Sequence, residues 1–306
     1  MPSCVLGVIG VGTIASAAIK GLCNPELPKD LGLRQIVLSP RNALKAQELQ
    51  ESFPALVRVA ESNQEVVQCS DWILLSVLPK QALAVLSELE FRKGQEVISM
   101  MAGISLSQLR QHCQATVSVA IPYPAIAHRH GAALLLQPGK AALAIFQTLG
   151  RCVTVEDEGN FRQLMGVSGL MGNFYKQQLT VQQWLTTHGI SGDTAAAWTT
   201  ASFAAWAEDS GGAAEATLAR LLAEQTPGGL NEKVWQLLDE DGANQALTHA
   251  MACVHRRLQD GHFDPDLAPA RQRLRRQRSA QRGAFVAGAA AMAAVAAVLL
   301  ALRPKL

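Results

Sequence analysis

The period of hydrophobic and polar positions changes near residue 157. Before it, short apolar runs alternate with amphipathic stretches, the pattern of successive βαβ units that build a parallel sheet. The runs predict strands at Cys4–Ile9, Gln35–Leu38, Val57–Val59, Trp72–Val77, Glu96–Met100 and Val117–Ala120. Ala133–Leu136 and Cys152–Val155 add two more at the sheet edge. Helical spacing over Ala15–Leu22, Asn42–Glu51 and Lys80–Leu89 predicts helices that cover the sheet faces, as strands buried on both sides require. From Gly159 to His262 β-branched runs vanish, alanine, leucine and glutamine dominate, and apolar residues recur at three and four. Two prolines in Asp264–Pro269 end that pattern. The expected architecture is an α/β Rossmann-type doubly wound parallel sheet over 1–157, followed by an all-α domain over 158–263. A basic linker over 264–283 and an apolar segment over 284–302 complete it.

The last segment changes the picture. Ala284–Leu302 holds nineteen residues without a charge or a proline, ten of them alanine. At ~1.5 Å per residue its length approaches a ~30 Å hydrocarbon core. Six arginines lie in 271–282, whereas only Arg303 and Lys305 follow. The positive-inside rule then predicts a transmembrane tail anchor with the body of the protein in the cytoplasm.

Charge excludes one class of partner. The formal net charge is +2, but no acidic residue follows Asp266, while eight of the 27 basic residues fall in 271–306. The body is therefore net acidic, opposite in sign to a nucleic-acid-binding surface. The six cysteines, Cys4, Cys23, Cys69, Cys113, Cys152 and Cys253, are scattered without metal-ligand spacing. They read as small buried hydrophobes in a reducing compartment, and no metal site is expected.

The first strand runs into Gly10-Val11-Gly12-Thr13-Ile14-Ala15, a G-x-G-x-x-A turn opening a helix. Gly10 permits the tight turn, Gly12 lets a pyrophosphate approach the backbone, and Ala15 allows close packing of helix on strand. The helix start at Thr13 and Ile14 supplies N–H groups to the phosphates. The second strand ends in Ser39-Pro40-Arg41-Asn42, without the acid that would hold both ribose hydroxyls of NAD. Ser39 can donate to a 2′-phosphate and Arg41 can pair with it, so NADP is the expected cofactor. Pro79, Gly103 and Pro122 sit in loops after successive strands, where ligand contacts are expected.

These pieces, together with Asn63, Val77-Leu78-Pro79-Lys80, Ser99-Met100-Met101-Ala102-Gly103-Ile104 and above all Thr226-Pro227-Gly228-Gly229, resemble the pyrroline-5-carboxylate reductases over residues 4–262. The resemblance implies hydride transfer from NADPH to a small cyclic imine, the chemistry of proline biosynthesis, and a homodimer formed through the helical domain. It adds Asn63, Val77, Pro79, Ala102 and Gly103 to the cofactor contacts. It places the substrate carboxylate on the turn of Thr226, Gly228 and Gly229. The residues agree physically, since two glycines at a helix start make an anion nest at the positive end of a helix dipole. Glu232 and Lys233 lie in the first helical turn, with Trp235 and Leu237-Leu238 packing below.

The departures from the family pattern fall in the substrate pocket. Leu78 stands for lysine, and Ile121-Pro122-Tyr123-Pro124 and the stretch from Leu170 to Tyr175 differ from the usual motifs. Asn231 takes the place of the threonine that partners the imine nitrogen; an amide can donate and accept but cannot shuttle a proton. Tyr123, His128, His130 and Tyr175 are further candidate polar groups. Two other readings stay open. A β-hydroxyacid dehydrogenase would use Lys176 as its acid/base, and a membrane-tethered NADP-binding sensor or scaffold would have no turnover.

Overall fold

The computed structural model describes residues 3–24 and 31–260. Eight strands form one sheet, β1 (Cys4–Ile9), β2 (Leu33–Leu38), β3 (Val57–Val59), β4 (Trp72–Leu75), β5 (Glu96–Ser99), β6 (Thr116–Pro122), β7 (Gly131–Leu136) and β8 (Gly150–Val155). Their order is β3-β2-β1-β4-β5-β6-β7-β8. The first six are parallel, as expected of a doubly wound sheet. β7 then runs antiparallel to β6, and β8 parallel to β7. The reversal follows from chain length. Only the stretch from Tyr123 to His130, with its 3₁₀ turn Pro124–His128, joins β6 to β7, and a parallel crossover needs a dozen residues or more.

Six helices flank the sheet: α1 (Thr13–Leu22), α2 (Ala43–Ser52), α3 (Asn63–Cys69), α4 (Pro79–Ser87), α5 (Leu106–His112) and α6 (Lys140–Leu149). Alternate strand residues point to opposite faces, and both faces are buried. On one, Leu6, Val8, Leu38 and Leu74 pack with Ile19 and Leu22 of α1 and with Phe146 of α6. On the other, Val5, Ile9, Val37 and Leu75 pack with Val66 of α3, Leu86 of α4 and Leu109 of α5.

Several boundaries differ from expectation by one or two residues, those of β4, β5, β6 and α4 among them. β4 stops at Leu75 and not Val77, because Ser76 to Leu78 form the extended approach to Pro79, the first residue of α4. β5 ends at Ser99, one residue early, where the chain turns toward Gly103. β6 runs on to Pro122, since pairing with Ala133 of β7 extends it. α4 begins at Pro79 and ends at Ser87 in place of Lys80–Leu89.

Past the sheet come α7 (Glu158–Met165), a 3₁₀ segment Gly166–Leu170, α8 (Met171–Thr187), α9 (Gly192–Asp209), α10 (Glu215–Ala223), α11 (Leu230–Glu240) and α12 (Ala243–Asp260). Phe161 and Met165 of α7 join the sheet core, with Leu258 of α12 packed against it. The other helices cover themselves poorly. No residue of α8, α10 or α11 is buried, and α9 buries only Ala195 and Thr199. Trp184, Trp198 and Trp206 are 60%, 69% and 63% exposed. Leu237 and Leu238, expected to pack beneath the glycine turn, are also mostly exposed.

The basic linker and the apolar segment over 284–302 lie outside the described residues. Among the described residues, no helix is long and apolar enough to cross a membrane.

Candidate functional site

The chain leaves β1 at Gly10, whose φ of 92° suits glycine alone. A Cβ there would lie 2.5 Å from the Ser76 carbonyl oxygen and 2.8 Å from the Val77 nitrogen. The missing side chain thus lets the loop after β1 close on the loop after β4. These strands are neighbours, yet the chain moves outward to β2 and β3 before returning to β4. This is the topological switch point, where open α/β sheets bind ligands.

Two side chains from the end of β2 hold the turn. The Gly10 N–H donates to Ser39 Oγ at 2.9 Å, and Asn42 Nδ2 donates to the Val11 carbonyl at 2.9 Å. Ser39 was expected to donate to a 2′-phosphate, but it is fully buried. Its observed role is to position the glycine turn. Neither that role nor that of Asn42 can be read from local sequence, because each is a contact across about thirty residues of chain. Arg41 is exposed and makes no ion pair among the described residues.

Gly12 then begins α1 in extended conformation, and a Cβ on it would meet nothing within 4 Å. Among the described residues nothing requires glycine here, so the opening suits a group from outside them. α1 has no side-chain cap and no acidic residue in its first turn. Its first N–H groups, at Thr13 and Ile14, have no intrahelical partner, and with the helix dipole they make an anion-binding end.

The remaining cofactor candidates lie along the same sheet edge. Asn63, half-buried, opens α3, where Ser62 Oγ accepts the Glu65 N–H at 3.1 Å. The Glu65 carboxyl is held below the usual range by the Glu61 N–H and then by Arg58, whose Nη1 lies 2.7 Å away. Val77 is half-buried and Pro79 exposed after β4, and Ala102 and Gly103 are exposed in the turn after β5. The carboxyl ends of β1, β2, β3, β4 and β5 therefore carry all eleven sequence-predicted cofactor residues.

The substrate candidates lie at the start of α11. Gly228 has φ 71° and an open outer side, and Gly229 begins α11. The Gly229 N–H donates to the Thr226 carbonyl at 2.8 Å. The Gly228 N–H donates to Glu232 Oε2 at 2.6 Å. The expected nest is thus engaged from within the chain, by a side chain one turn along whose contact sequence reading did not foresee. Asn231 is exposed, and its Nδ2 donates to Gln225 Oε1 at 2.9 Å. Among the described residues no hydrogen bond joins this turn to the strand ends. Beneath α11 a cavity of about 450 Å³ is lined by Asn173, Gln177, Trp235, Leu238 and Met251, and holds none of the predicted substrate residues.

Of the other candidates, Tyr123 is half-buried after β6, while His128, His130, Tyr175 and Lys176 are exposed. All six cysteines are free thiols. Burial pushes Cys23 and Cys113 up to about 12. Cys152 is raised by burial, and Cys4 by burial and then by the charge of Asp71.

A parallel sheet that reverses at a glycine turn, with an uncapped helix start facing an opening, defines a Rossmann-type dinucleotide-binding fold. Residues 5–103 match the family model described as NADP oxidoreductase coenzyme F420-dependent. The pyrroline-5-carboxylate reductase of Synechocystis is 29% identical over 173 residues, 54% of this chain and 62% of that protein. The match therefore spans under two thirds of the relative. The structure of 1-pyrroline-5-carboxylate reductase from Streptococcus pyogenes superposes with a TM-score of 0.71 at 21% identity, covering 84% of this chain and 98% of the other. The Plasmodium falciparum pyrroline carboxylate reductase with NADP bound gives 0.68 at 14% identity over the same shares, so both show likeness of fold. The chain is thus similar to pyrroline-5-carboxylate reductases over part of its sequence and in its fold.

Proposed function

We propose that the chain is an NADPH-dependent reductase that delivers hydride to the carbon of a small C=N substrate. The observation that carries this reading is the start of α1 at the switch point, open over Gly12, uncapped and free of acid. The residues present fit the cofactor. Thr13 and Ile14 N–H groups would hold its pyrophosphate, Arg41 its 2′-phosphate, Asn63 the adenosine side, and Val77, Pro79, Ala102 and Gly103 the nicotinamide side. When bound, the cofactor supplies the hydride; a protonated imine already accepts one, so the protein's part is to orient it and exclude water. Asn231 would hold the imine nitrogen by its amide without exchanging a proton with it.

The site is completed in a homodimer. Supporting this, α8 and α9 leave aromatic side chains uncovered and α10 and α11 leave leucines uncovered, more apolar surface than monomers usually expose. Among the described residues the turn at Thr226 to Asn231 also makes no hydrogen bond to its own strand ends. In the same reading the segment over 284–302 anchors the body to a membrane, with the arginines of 271–282 on the cytoplasmic side.

The test is NADPH oxidation by full-length protein with small cyclic imines and oxo acids. Turnover with an imine is the expected result. Tight NADPH binding without oxidation by any of these compounds would leave the sensor reading in its place.

A further inference from the structure

The helices α1 and α11, like α6, each begin at a glycine with extended backbone and no cap from their own N-cap side chain. They differ in one respect. α1 has no acid in its first turn, whereas α11 carries Glu232 there. An acid at that position turns an anion-binding end into one already neutralised.

The geometry adds to this. Glu232 reaches back over one turn so that its Oε2 accepts the Gly228 N–H at 2.6 Å, a charge-assisted bond. The Gly229 N–H is held by the Thr226 carbonyl at 2.8 Å. Both glycine N–H groups are occupied, one of them by a carboxylate. The turn is not closed sterically, because a Cβ on Gly228 would meet nothing within 4 Å. Lys233 beside it is exposed and forms no ion pair with Glu232. A second carboxylate at this turn would meet charge of its own sign, and of the donors there the Leu230 and Asn231 N–H groups at the start of α11 stay open to it. Leu230, 86% exposed at the head of α11, adds apolar surface next to it.

We infer that Glu232 is a specificity residue that selects against carboxylate-bearing substrates, so that the site takes a small imine lacking a carboxylate, neutral or protonated. This rests on the reductase reading above and on the turn's being part of its substrate site.

The experiment compares 1-pyrroline with 1-pyrroline-5-carboxylate as substrates of full-length protein and of its Glu232→Gln and Glu232→Ala variants. Gln keeps an oxygen to accept the Gly228 N–H but removes the charge; Ala removes both. In parallel, calorimetry measures pyrrolidine and proline binding to the NADP⁺-loaded proteins. The unmodified protein should favour 1-pyrroline in kcat/KM by about tenfold or more, the order of one uncompensated charge contact. Both variants should shrink that preference by about tenfold, chiefly through a lower KM for the carboxylated imine, with the NADPH Kd unchanged. A purely structural role for Glu232 would instead lower the urea midpoint of the Ala variant and leave the preference alone. Equal or better use of the carboxylated imine by the unmodified protein, or an unaltered preference in both variants, overturns the inference. If no imine is turned over, the reductase reading fails separately, and the proline-to-pyrrolidine affinity ratio decides the role of Glu232 by the same criterion.

Discussion

At the end of β2, Ser39 and Arg41 are two residues apart and serve different ends. Ser39 is fully buried, with its Oγ accepting the Gly10 N–H, which leaves Arg41 as the exposed charge for a 2′-phosphate. Arg41→Ala should therefore raise the NADPH Kd about tenfold or more, since a charged hydrogen bond contributes roughly 1.5–3 kcal/mol. NADH binding, measured by the same fluorescence titration, should barely change; equal losses for both cofactors would place Arg41 outside the phosphate contact. The thiols offer a second residue-scale check. Cys23 and Cys113, pushed up to about 12 by burial, stay protonated at mildly alkaline pH. The thiolate is the reactive form, so neither should react with Ellman's reagent in the native protein, whereas exposed Cys69 should. Rapid labelling of all six would contradict the burial described.

Elements whose signals are local were legible in the sequence. The runs at β1, β2 and β3 set their strands within two residues, and the glycine turn announced α1. α5, not among the expected helices, does carry a local signal, a capping box of Ser105 and Gln108. α6 had no such signal. Gly139 begins it without a side chain, and the cap comes from Glu96 on β5, whose carboxylate accepts the Ala141 N–H at 2.9 Å and the Ala142 N–H at 3.2 Å. A cap supplied across 45 residues is invisible to any local pattern. The same holds for the reversal of β7 and for Asn42 on Val11. Glu232 is the opposite case: the residue was in view, four after Gly228, but only geometry shows that it folds back. Glu96→Ala should lower stability by about 1–2 kcal/mol, the usual worth of a helix cap, in a urea titration. An unchanged midpoint would show that α6 does not depend on this carboxylate.

For the whole molecule, the contrast between the halves is the main structural fact. The sheet is buried on both faces, while the helices from α8 to α11 hide almost nothing of their own. On the homodimer proposed above a second copy would cover Trp184, Trp198 and Trp206, and sedimentation equilibrium should give twice 32.7 kDa at micromolar concentration. A monomer at that concentration would leave the site to be completed within one chain. Full-length protein should also pellet with membranes and resist carbonate extraction, whereas a chain ending at Pro269 should not; extraction of the full chain by carbonate would remove the anchor. The reaction itself is tested most directly by following the hydride. NADPH carrying deuterium at both C4 positions is mixed with the protein and 1-pyrroline, and the amine product is analysed by mass spectrometry. The account predicts one deuterium on the former imine carbon, at a rate matching cofactor oxidation. Unlabelled product, or intact labelled cofactor that binds and is never oxidised, would contradict it.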